Sequence, residues 1–573
     1  MELRLLGILL LIVVVVSLWF VFRKRRRTAQ LLREIRGNWG KARPGSFTLS
    51  ELDSIALYHN LQTQQSDTWL DQNTCSALNL DQVFAYLDRT NSKVGQQFLF
   101  HLLRTPQLKE EPLLQFEQVV NCLRDKKLRE DLQLDLHPLN RKAALFLPHL
   151  FLGELPQLGR WRFVFLSLFL AALISALSAI VNHTFVWILI PLVIANMATS
   201  VVCHRHLQPF IHPLRMLNVL INTSQRIGRK HAGSELSEHA QKLTHLSKSL
   251  SKLGQRTALL VFDRESDELS GMVYQYLNMA FLLEANCFAL TIEELRKKRD
   301  QVAAIYETLG YLDAAISVGS VRKGNANVTR PVFIASHKTC SFKSLYHPLL
   351  EYAVPNDLNI ARKSILLTGS NMSGKSTFVR TVGVNAVLAQ TIHSCFAQEY
   401  QAPFVIVRAF MGATDNLLES KSHYLAEVKA VHSLVTAPRS GTPHLFLIDE
   451  LFRGTNTLER VAAAKAVLEY LNRGDDVVLA ATHDIELVEL LKRGYECIHF
   501  REIIHNGQMT FDYKLRSGVS STRNAIAMLE LCDYPETIVC EALHIFEQLK
   551  QSNRARLTAE DQKQFIDSTR HEV

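Results

Sequence analysis

The chain has 573 residues, which is too many for one hydrophobic core, so at least three structural units are expected. Apolar residues make up 47% of the chain and charged residues 21%, which is typical of globular proteins and excludes a disordered chain. The formal net charge of +9 suits a nucleic-acid partner or an anionic membrane surface but requires neither. The nine cysteines include no CxxC pair, which argues against a zinc site or a disulfide framework and favours reduced thiols.

Three uncharged apolar runs stand out from the rest of the chain, at residues 5–22, 163–181 and 184–203. At about 1.5 Å per residue, a helix of any of these lengths spans roughly the 30 Å hydrocarbon core of a bilayer. The second and third runs are separated only by Asn182 and His183, a spacing typical of a membrane hairpin. A pair of buried core helices is the alternative interpretation.

The charges beside these runs predict the orientation of the chain. The basic cluster 23–27 follows the first run, so the positive-inside rule places it in the cytoplasm. A cleaved signal peptide is disfavoured because the cluster follows the run and no small-x-small cleavage site is evident. Arg160 and Arg162 precede the hairpin and residues 204–206 follow it, so the hairpin leaves and returns. We therefore predict a multi-pass protein of the cell (inner) membrane with cytoplasmic soluble domains.

A phosphate-binding loop is predicted at residues 369–376, which fit GxxxxGK[ST] at every required position. An apolar run precedes the loop and a helical pattern, 377–389, follows it, which disfavours a chance match. Glycines let the backbone amides turn toward phosphate oxygens, and the helix N-terminus adds positive potential. The predicted nucleotide-binding residues are Gly369, Ser370, Asn371, Met372, Ser373, Gly374, Lys375, Ser376 and Thr377.

Two further strand-like runs end in residues suited to nucleotide chemistry. Asp449 and Glu450 follow the apolar run 444–448, and His483 follows another run ending at Thr482. We assign Asp449, with Ser376, to Mg²⁺, and Glu450 to polarising the attacking water. His483 would sense the terminal phosphate, and Lys375 would reach the outer phosphates. Alternatives are a solvated acidic turn and a structural histidine. The predicted cofactors are ATP and Mg²⁺.

These motifs resemble the MutS family of DNA mismatch-repair ATPases. Residues 449–457 resemble its extended acidic motif, 481–483 its ATH switch, and 415–427 its signature loop, although Ser420 and His423 replace the usual glycine and threonine. In the family this loop reaches the partner subunit's nucleotide. The resemblance therefore implies a homodimer with composite ATP sites, in which Ser422 contacts the nucleotide of the partner.

The resemblance continues outside the nucleotide motifs, over residues 65–160 and 207–550. Residues 87–90 with Gly95 resemble the start of the family's helical core, and Asp313 with Ser317 resembles the helix leading into the ATPase. Residues 520–550 resemble the C-terminal dimerisation helices. The family places an aromatic residue on adenine, for which Tyr346 and Tyr352 are the candidates. No Phe-x-Glu mismatch wedge is visible.

The predicted fold is an α/β P-loop NTPase domain with a parallel-rich sheet, an all-α lever and core domain, and three transmembrane helices. Short β-rich runs alternating with helices from about residue 336 favour the sheet. The predicted units are 1–27 (anchor and basic stop), 28–160 (first part of the helical core), 161–206 (transmembrane hairpin), 207–335 (second part of the lever and core), 336–550 (MutS-like ATPase with dimerisation helices) and 551–573 (polar tail).

Two functions of different classes fit these features. The first is a membrane-anchored, dimeric MutS-like ATPase whose hydrolysis of ATP rearranges its helical arms, with DNA binding in mismatch repair or recombination implied by the resemblance. The second is a membrane-tethered ATP-dependent switch that acts on a protein partner without reading DNA. An ABC-type transporter is disfavoured by the small number of spans. The basic residues that would contact DNA phosphates, or form a solvated helix face, are Lys242, Lys248, Lys252 and Arg256.

Overall fold

The chain divides into two compact units in the computed structural model. The helical unit comprises Met1–Pro331 and Val384–Phe396, and the sheet unit comprises Val332–Gly383 and Ala397–Val573. The predicted tail and nearly all of the first predicted span lie outside the described residues. The structure describes residues 18–19, 22–23, 25–43, 45, 47–62, 66–258, 268–335, 338–370, 373–412, 423–439, 441–505, 508–519, 529 and 534–548.

The helical unit is built almost entirely from α-helices, as the periodicity predicts. Two short strands, β1 (Val328–Thr329) and β6 (Cys395–Phe396), pair antiparallel within it. Its helices are α1 (25–38), α2 (Leu49–Asn60), α3 (Gln72–Ala77), α4 (Leu80–Leu87), α5 (Lys93–Leu102), α6 (Glu110–Cys122), α7 (Lys126–Leu136), α8 (Pro148–Phe151), α9 (Trp161–Val181), α10 (Val186–Lys230), α11 (Ser237–Ser249), α12 (Ser251–Ala258), α13 (Glu268–Phe281), α14 (Leu283–Lys297) and α15 (Arg299–Gly324).

Two segments that are far apart in the sequence meet in the core of this unit. The buried carboxylate of Asp313, on α15, accepts hydrogen bonds from the backbone amide and the hydroxyl of Ser92 (2.8 and 2.6 Å) at the start of α5. The Ser317 hydroxyl donates to the carbonyl of Leu87 (2.6 Å) and accepts from the amide of Arg89 (2.8 Å). Side chains of α15 therefore satisfy backbone groups at the ends of α4 and α5 that would otherwise be buried without partners.

Helices α9 and α10 contain the two predicted hairpin spans. Trp161–Val181 and His183–Val202 are long and apolar enough to cross a membrane, with mean hydropathies of 2.6 and 2.2. Only 17% and 6% of their most apolar windows are buried, which is unlike the core helices of a soluble protein. The structure differs from the prediction at residue 206, where a domain boundary was expected. Helix α10 continues without interruption to Lys230, so the second apolar stretch and the following polar stretch form one helix of 45 residues.

The sheet unit contains a six-stranded and a four-stranded sheet, in the orders β12-β11-β5-β10-β9-β8 and β2-β7-β3-β4. Its elements are β2 (Val332–Phe333), β3 (Thr339–Leu345), β4 (Asn356–Ala361), β5 (Ser364–Thr368), α16 (Lys375–Ile392, ending in the helical unit), β7 (Glu399–Ala402), β8 (Ile406–Phe410), α17 (His423–Val435), β9 (His444–Asp449), α18 (Thr457–Leu471), β10 (Val477–Ala481), α19 (Glu486–Leu491), β11 (Tyr495–His505), β12 (Gln508–Ser517) and α20 (536–548).

The larger sheet is parallel except for its edge strand β12, which pairs antiparallel with β11. Every residue of β5, β8, β9 and β10 is buried, as expected for parallel strands covered on both faces. Strand β9 begins at His444, the first residue of the apolar run 444–448. The four-stranded sheet was not predicted, because buried and exposed residues alternate along β4 and β7 and the strands therefore form no continuous apolar run.

We predict that Gly95→Ala destabilises the helical unit by about 1–3 kcal/mol. A methyl group at residue 95 would lie 2.2 Å from the Asp313 carboxylate and displace it from its hydrogen bonds. The matched control is Gly37→Ala in α1, where a methyl group meets nothing within 4 Å. Helix propensity alone should make that change neutral or stabilising by up to about 1 kcal/mol. Thermal unfolding in detergent, followed by circular dichroism, compares the two; equal stability of both variants would contradict the prediction.

Candidate nucleotide site

The phosphate-binding loop joins the C-terminal end of β5 to the N-terminus of α16. Strand β5 lies between β10 and β11, and the register pairs Leu367 with Ala481 and Ala481 with Asp449. Parallel strands in this register end together, so the residues that follow them share one edge of the sheet. This is the edge at which open α/β sheets bind ligands. The structure therefore brings the loop, the acidic pair and His483 together, as predicted.

The loop requires glycine at two positions. Gly369 has φ +145° and Gly374 has φ +102°, values that side chains with a Cβ rarely adopt. A methyl group at residue 374 would also lie 3.2 Å from the ring of Tyr513 on β12. Both glycines of the motif are therefore fixed by backbone conformation, and Gly374 also by the close approach of an aromatic ring.

Lys375 is the first residue of α16 and is 5% exposed. Its Nζ donates hydrogen bonds to the carbonyl oxygens of Gly369 and Ser370, both at 2.8 Å. Burial lowers the pKa of the ammonium, and the charges of Glu450 and Asp449 oppose that effect. The two hydrogen bonds hold the Lys375 side chain against the loop.

The acidic pair lies at the end of β9, and its two members have different surroundings. Asp449 is buried, and its Oδ1 has no hydrogen-bond partner among the described residues. Glu450 has φ +53°, and its carboxylate contacts His483 Nδ1 at 3.2 Å and the Arg453 guanidinium. Burial raises the pKa of Glu450, but the hydrogen bond and charge of His483 outweigh burial, so the net pKa is lowered. The same hydrogen bond raises the pKa of the half-exposed His483.

A cavity of about 620 Å³ lies within the sheet unit beside these residues. Gly374, Lys375, Ser376, Thr377 and Glu450 belong to its lining. The lining also includes both tyrosines that the sequence suggested for adenine, together with one that it did not: Tyr346, Tyr352 and Tyr513. A pocket of this size with a polar and an aromatic wall is of the kind that holds a small ligand of nucleotide dimensions.

The residues present fit a magnesium nucleotide. The hydroxyls of Ser370 and Ser373, like Asp449 Oδ1, are polar atoms without a protein partner among the described residues. Buried polar atoms without partners are rare, and here they converge at a helix N-terminus suited to phosphate. Asp449 and Ser376 supply the oxygen ligands that Mg²⁺ prefers. Asn371, Met372 and Ser422 lie outside the described residues.

Comparison with known proteins identifies the domain. Residues 365–550 match the family model for MutS domain V. The DNA mismatch repair protein MutS of Listeria innocua is 28% identical over 296 residues, and the protein of the same name from Thermotoga maritima is 32% identical over 282 residues. These matches support MutS family membership for the part of the chain that they cover. The alignments cover 49% and 47% of this chain but 34% and 35% of those proteins, so the chain spans about a third of the length of the curated relatives it matches.

Two residues of this MutS-type domain have roles that sequence reasoning missed. Glu427, quoted only as the end of the signature loop, is 1% exposed and accepts hydrogen bonds from the backbone amides of Phe452 and Arg453. It therefore holds the turn that follows Glu450. Tyr513, on β12, packs its ring against Gly374. Neither role follows from spacing along the chain, because each contact joins residues brought together by the fold.

Proposed function

We propose that this protein is a Mg²⁺-dependent ATPase whose nucleotide state controls its helical unit. The observation that carries the proposal is the meeting of Lys375, Asp449 and Glu450 at one edge of the sheet, beside a cavity of nucleotide size. Membership of the MutS family supports ATP as the nucleotide. The two glycines and the helix N-terminus favour phosphate as the group recognised.

The proposed mechanism assigns a separate task to each residue. Lys375 and the loop amides hold the outer phosphates, and Asp449 with Ser376 hold Mg²⁺, which when bound neutralises charge on those phosphates. Glu450 accepts a proton from the attacking water as a general base, and its lowered pKa keeps it ionised near neutral pH. His483 is a positioning residue, because its Nδ1 contact fixes the Glu450 carboxylate.

Helix α16 provides the route by which nucleotide state reaches the helical unit. Its first turn forms part of the phosphate site, whereas residues from Val384 onward belong to the helical unit. In that unit the Arg322 guanidinium donates to the carbonyl of His393, just past the end of α16 (2.9 Å), and to both carboxylate oxygens of Glu117 (2.9 and 2.6 Å). We infer that a shift of α16 is transmitted to α6 and α15 through these hydrogen bonds.

Membrane anchoring belongs to the same proposal. The exposed apolar faces of α9 and α10 favour a hairpin in the bilayer, and α10 continues from its apolar part into the helical unit as one helix. A rod of this kind fixes the orientation of the unit relative to the membrane. Together with the basic cluster 23–27, it supports an inner-membrane protein with cytoplasmic ATPase domains.

A second copy of this chain is proposed as one partner, and DNA or another protein as a further partner. The resemblance supports a homodimer in which Ser422 completes the partner's site. The relatives are named for DNA mismatch repair, which makes DNA one candidate partner; a protein partner is the other. All four basic residues suggested for DNA are exposed. Arg256 pairs with Glu294 (2.8 Å), whereas Lys242, Lys248 and Lys252 form no ion pair within the described part of the chain. Filter binding of duplex and branched DNA over a salt series distinguishes the two.

Glu450→Gln should bind ATP normally and lose turnover by about 10²–10⁴-fold, because the amide keeps the shape of the carboxylate and cannot accept a proton. Lys375→Ala should lose nucleotide binding itself. The control is Glu459→Gln, which changes an exposed carboxylate on α18. Binding of a fluorescent ATP analogue and release of phosphate separate the two effects. Normal turnover by Glu450→Gln would refute the assigned base.

His483→Ala should move the acid limb of the ATPase pH profile to higher pH. The imidazole hydrogen bond and charge lower the pKa of Glu450, so their loss raises that pKa and the carboxylate protonates earlier as the pH falls. His483→Gln, which keeps a hydrogen-bond donor without the charge, should shift the limb less. A rate reduced equally at every pH, with the acid limb unmoved, would show that His483 does not act through Glu450.

A cysteine introduced at the hairpin turn, His183→Cys, should react with a membrane-impermeant thiol reagent applied outside intact cells. The turn lies between the two apolar helices and is exposed. Gly233→Cys, at an open position of the cytoplasmic part, should react only after the cells are opened. The unmodified chain provides the background from its native cysteines. Equal labelling of both variants in intact cells, or release of the chain from membranes by salt alone, would contradict the anchoring proposal.

A further inference from the structure

A second cavity, of about 640 Å³, lies within the helical unit and away from every nucleotide motif. Helices α1, α6, α7 and α15 contribute its walls. One acidic residue, Glu130, lines it, and Arg36 pairs with that residue through two hydrogen bonds (2.9 and 2.8 Å). The cationic residues of the lining are Arg36, Arg124, Lys126, Arg129, Arg322 and Lys323.

The charge of this cavity is only partly balanced by the protein. Arg322 is held by Glu117, and Lys126 lies 4.0 Å from Glu130. Within the described part of the chain, Arg124, Arg129 and Lys323 form no ion pair. Cations that share one cavity repel one another, so a cluster of them favours an anionic occupant.

Arg129 is a buried cation in the lining of this cavity, and it favours an anionic ligand. It is 7% exposed, and burial lowers the pKa of its guanidinium. One nitrogen donates to the carbonyl oxygens of Leu123 and Arg124 (3.2 and 3.3 Å), and the group lies 3.9 Å from the centre of the Trp39 ring. These neutral partners orient the guanidinium, and the charges of Glu130 and Asp125 only partly offset its burial, because its net pKa stays lowered. Burying a charged group is unfavourable unless an opposite charge accompanies it.

A second, independent feature is a buried amide in the same wall. Gln133 is 5% exposed, and its Oε1 has no hydrogen-bond partner among the described residues. It lines both this cavity and an adjoining one of about 300 Å³, whose lining includes Arg89, the acidic Glu34, and Arg43, which pairs with the buried Asp88 (3.1 Å). Polar atoms buried without partners point to a ligand or bound water.

Trp39 and Gly319 contact each other in the lining of the cavity. The six-membered ring of the Trp39 indole lies close to Gly319 on α15, where a methyl group would approach to 3.3 Å. Glycine at this position therefore allows the indole to pack closely against α15. The cavity is therefore a preformed space with an aromatic and cationic wall, a combination suited to a compact anion.

We propose that this cavity binds a phosphate-bearing small ligand through Arg124, Lys126, Arg129 and Lys323. Guanidinium and ammonium groups are the protein partners that phosphate prefers, and the cavity has the size of a drug-like or nucleotide ligand. The phosphate can belong to a soluble molecule or to a lipid headgroup, because α1 follows the first apolar run of the chain. None of the residues that line this cavity lines the candidate nucleotide site on the sheet.

The test uses full-length protein in detergent carrying Lys375→Ala, so that the phosphate-binding loop contributes nothing. Inorganic pyrophosphate is titrated by calorimetry at constant ionic strength. We expect saturable binding by the parent protein. The double substitution Arg124→Gln with Lys323→Gln, at two exposed positions, should weaken this binding at least tenfold. The charge-matched control is Lys127→Gln with Lys109→Gln, two exposed lysines outside the lining, which should bind as the parent does.

Two further titrations identify the source of the phosphate. Anionic phosphatidylglycerol vesicles are compared with neutral phosphatidylcholine vesicles, and a short oligonucleotide serves as a macromolecular anion. If the parent binds anionic vesicles and only the cavity variant loses this binding, the phosphate belongs to a lipid headgroup. Equal pyrophosphate binding by the cavity and control variants, no saturable binding by the parent, or binding of the oligonucleotide alone would overturn the proposal. Arg129→Lys, which keeps the charge but not the planar contact with Trp39, should weaken binding without abolishing it.

Discussion

The register of three parallel strands is the constraint on which the nucleotide site depends. Leu367, Ala481 and Asp449 lie side by side on β5, β10 and β9, so the chain leaves all three strands at the same level. A slip of one residue would turn Asp449 to the opposite face of the sheet and separate it from the loop. Burial of every residue in these strands opposes such a slip, because it would disturb apolar packing on both faces.

Once the strand ends are aligned, the electrostatics of the site follow from burial. Asp449 and Glu450 are 4% and 8% exposed, and Lys375 is 5% exposed. Charges buried this deeply need partners, and each of the three lies within the field of the others. Arg453 and His483 add positive charge on the more exposed side of Glu450. The lowered pKa of Glu450 and the raised pKa of His483 are thus two consequences of one contact, and they keep an ionised carboxylate beside the cavity.

The sequence predicted those parts of the structure that depend on residues close together in the chain. The phosphate-binding loop and the acidic end of β9 follow from motifs whose residues are close together in the sequence. Contacts over long separations were not accessible in this way. The carboxylate of Glu427 beneath the acidic turn, the ring of Tyr513 on Gly374 and the pairing of Arg322 with Glu117 each join segments that no periodicity connects. The unbroken course of α10 past residue 206 was missed because a change from apolar to polar residues resembles a boundary, whereas the backbone hydrogen bonds of a helix do not depend on that change.

Helix α16 links the nucleotide chemistry to the helical unit for a physical reason. Its 18 residues form a rod of about 27 Å, and an α-helix bends only at considerable energetic cost. Its end is fixed by buried charge: burial alone raises the pKa of Glu117, but hydrogen bonds from His393 and Arg322 outweigh burial and hold the pKa well below its usual range. A buried carboxylate shared by two guanidinium groups and an imidazole cannot lose one partner without leaving charge uncompensated. Separating α6 or α15 from the end of α16 would therefore require rupture of this charge cluster, which favours displacement of these three segments together.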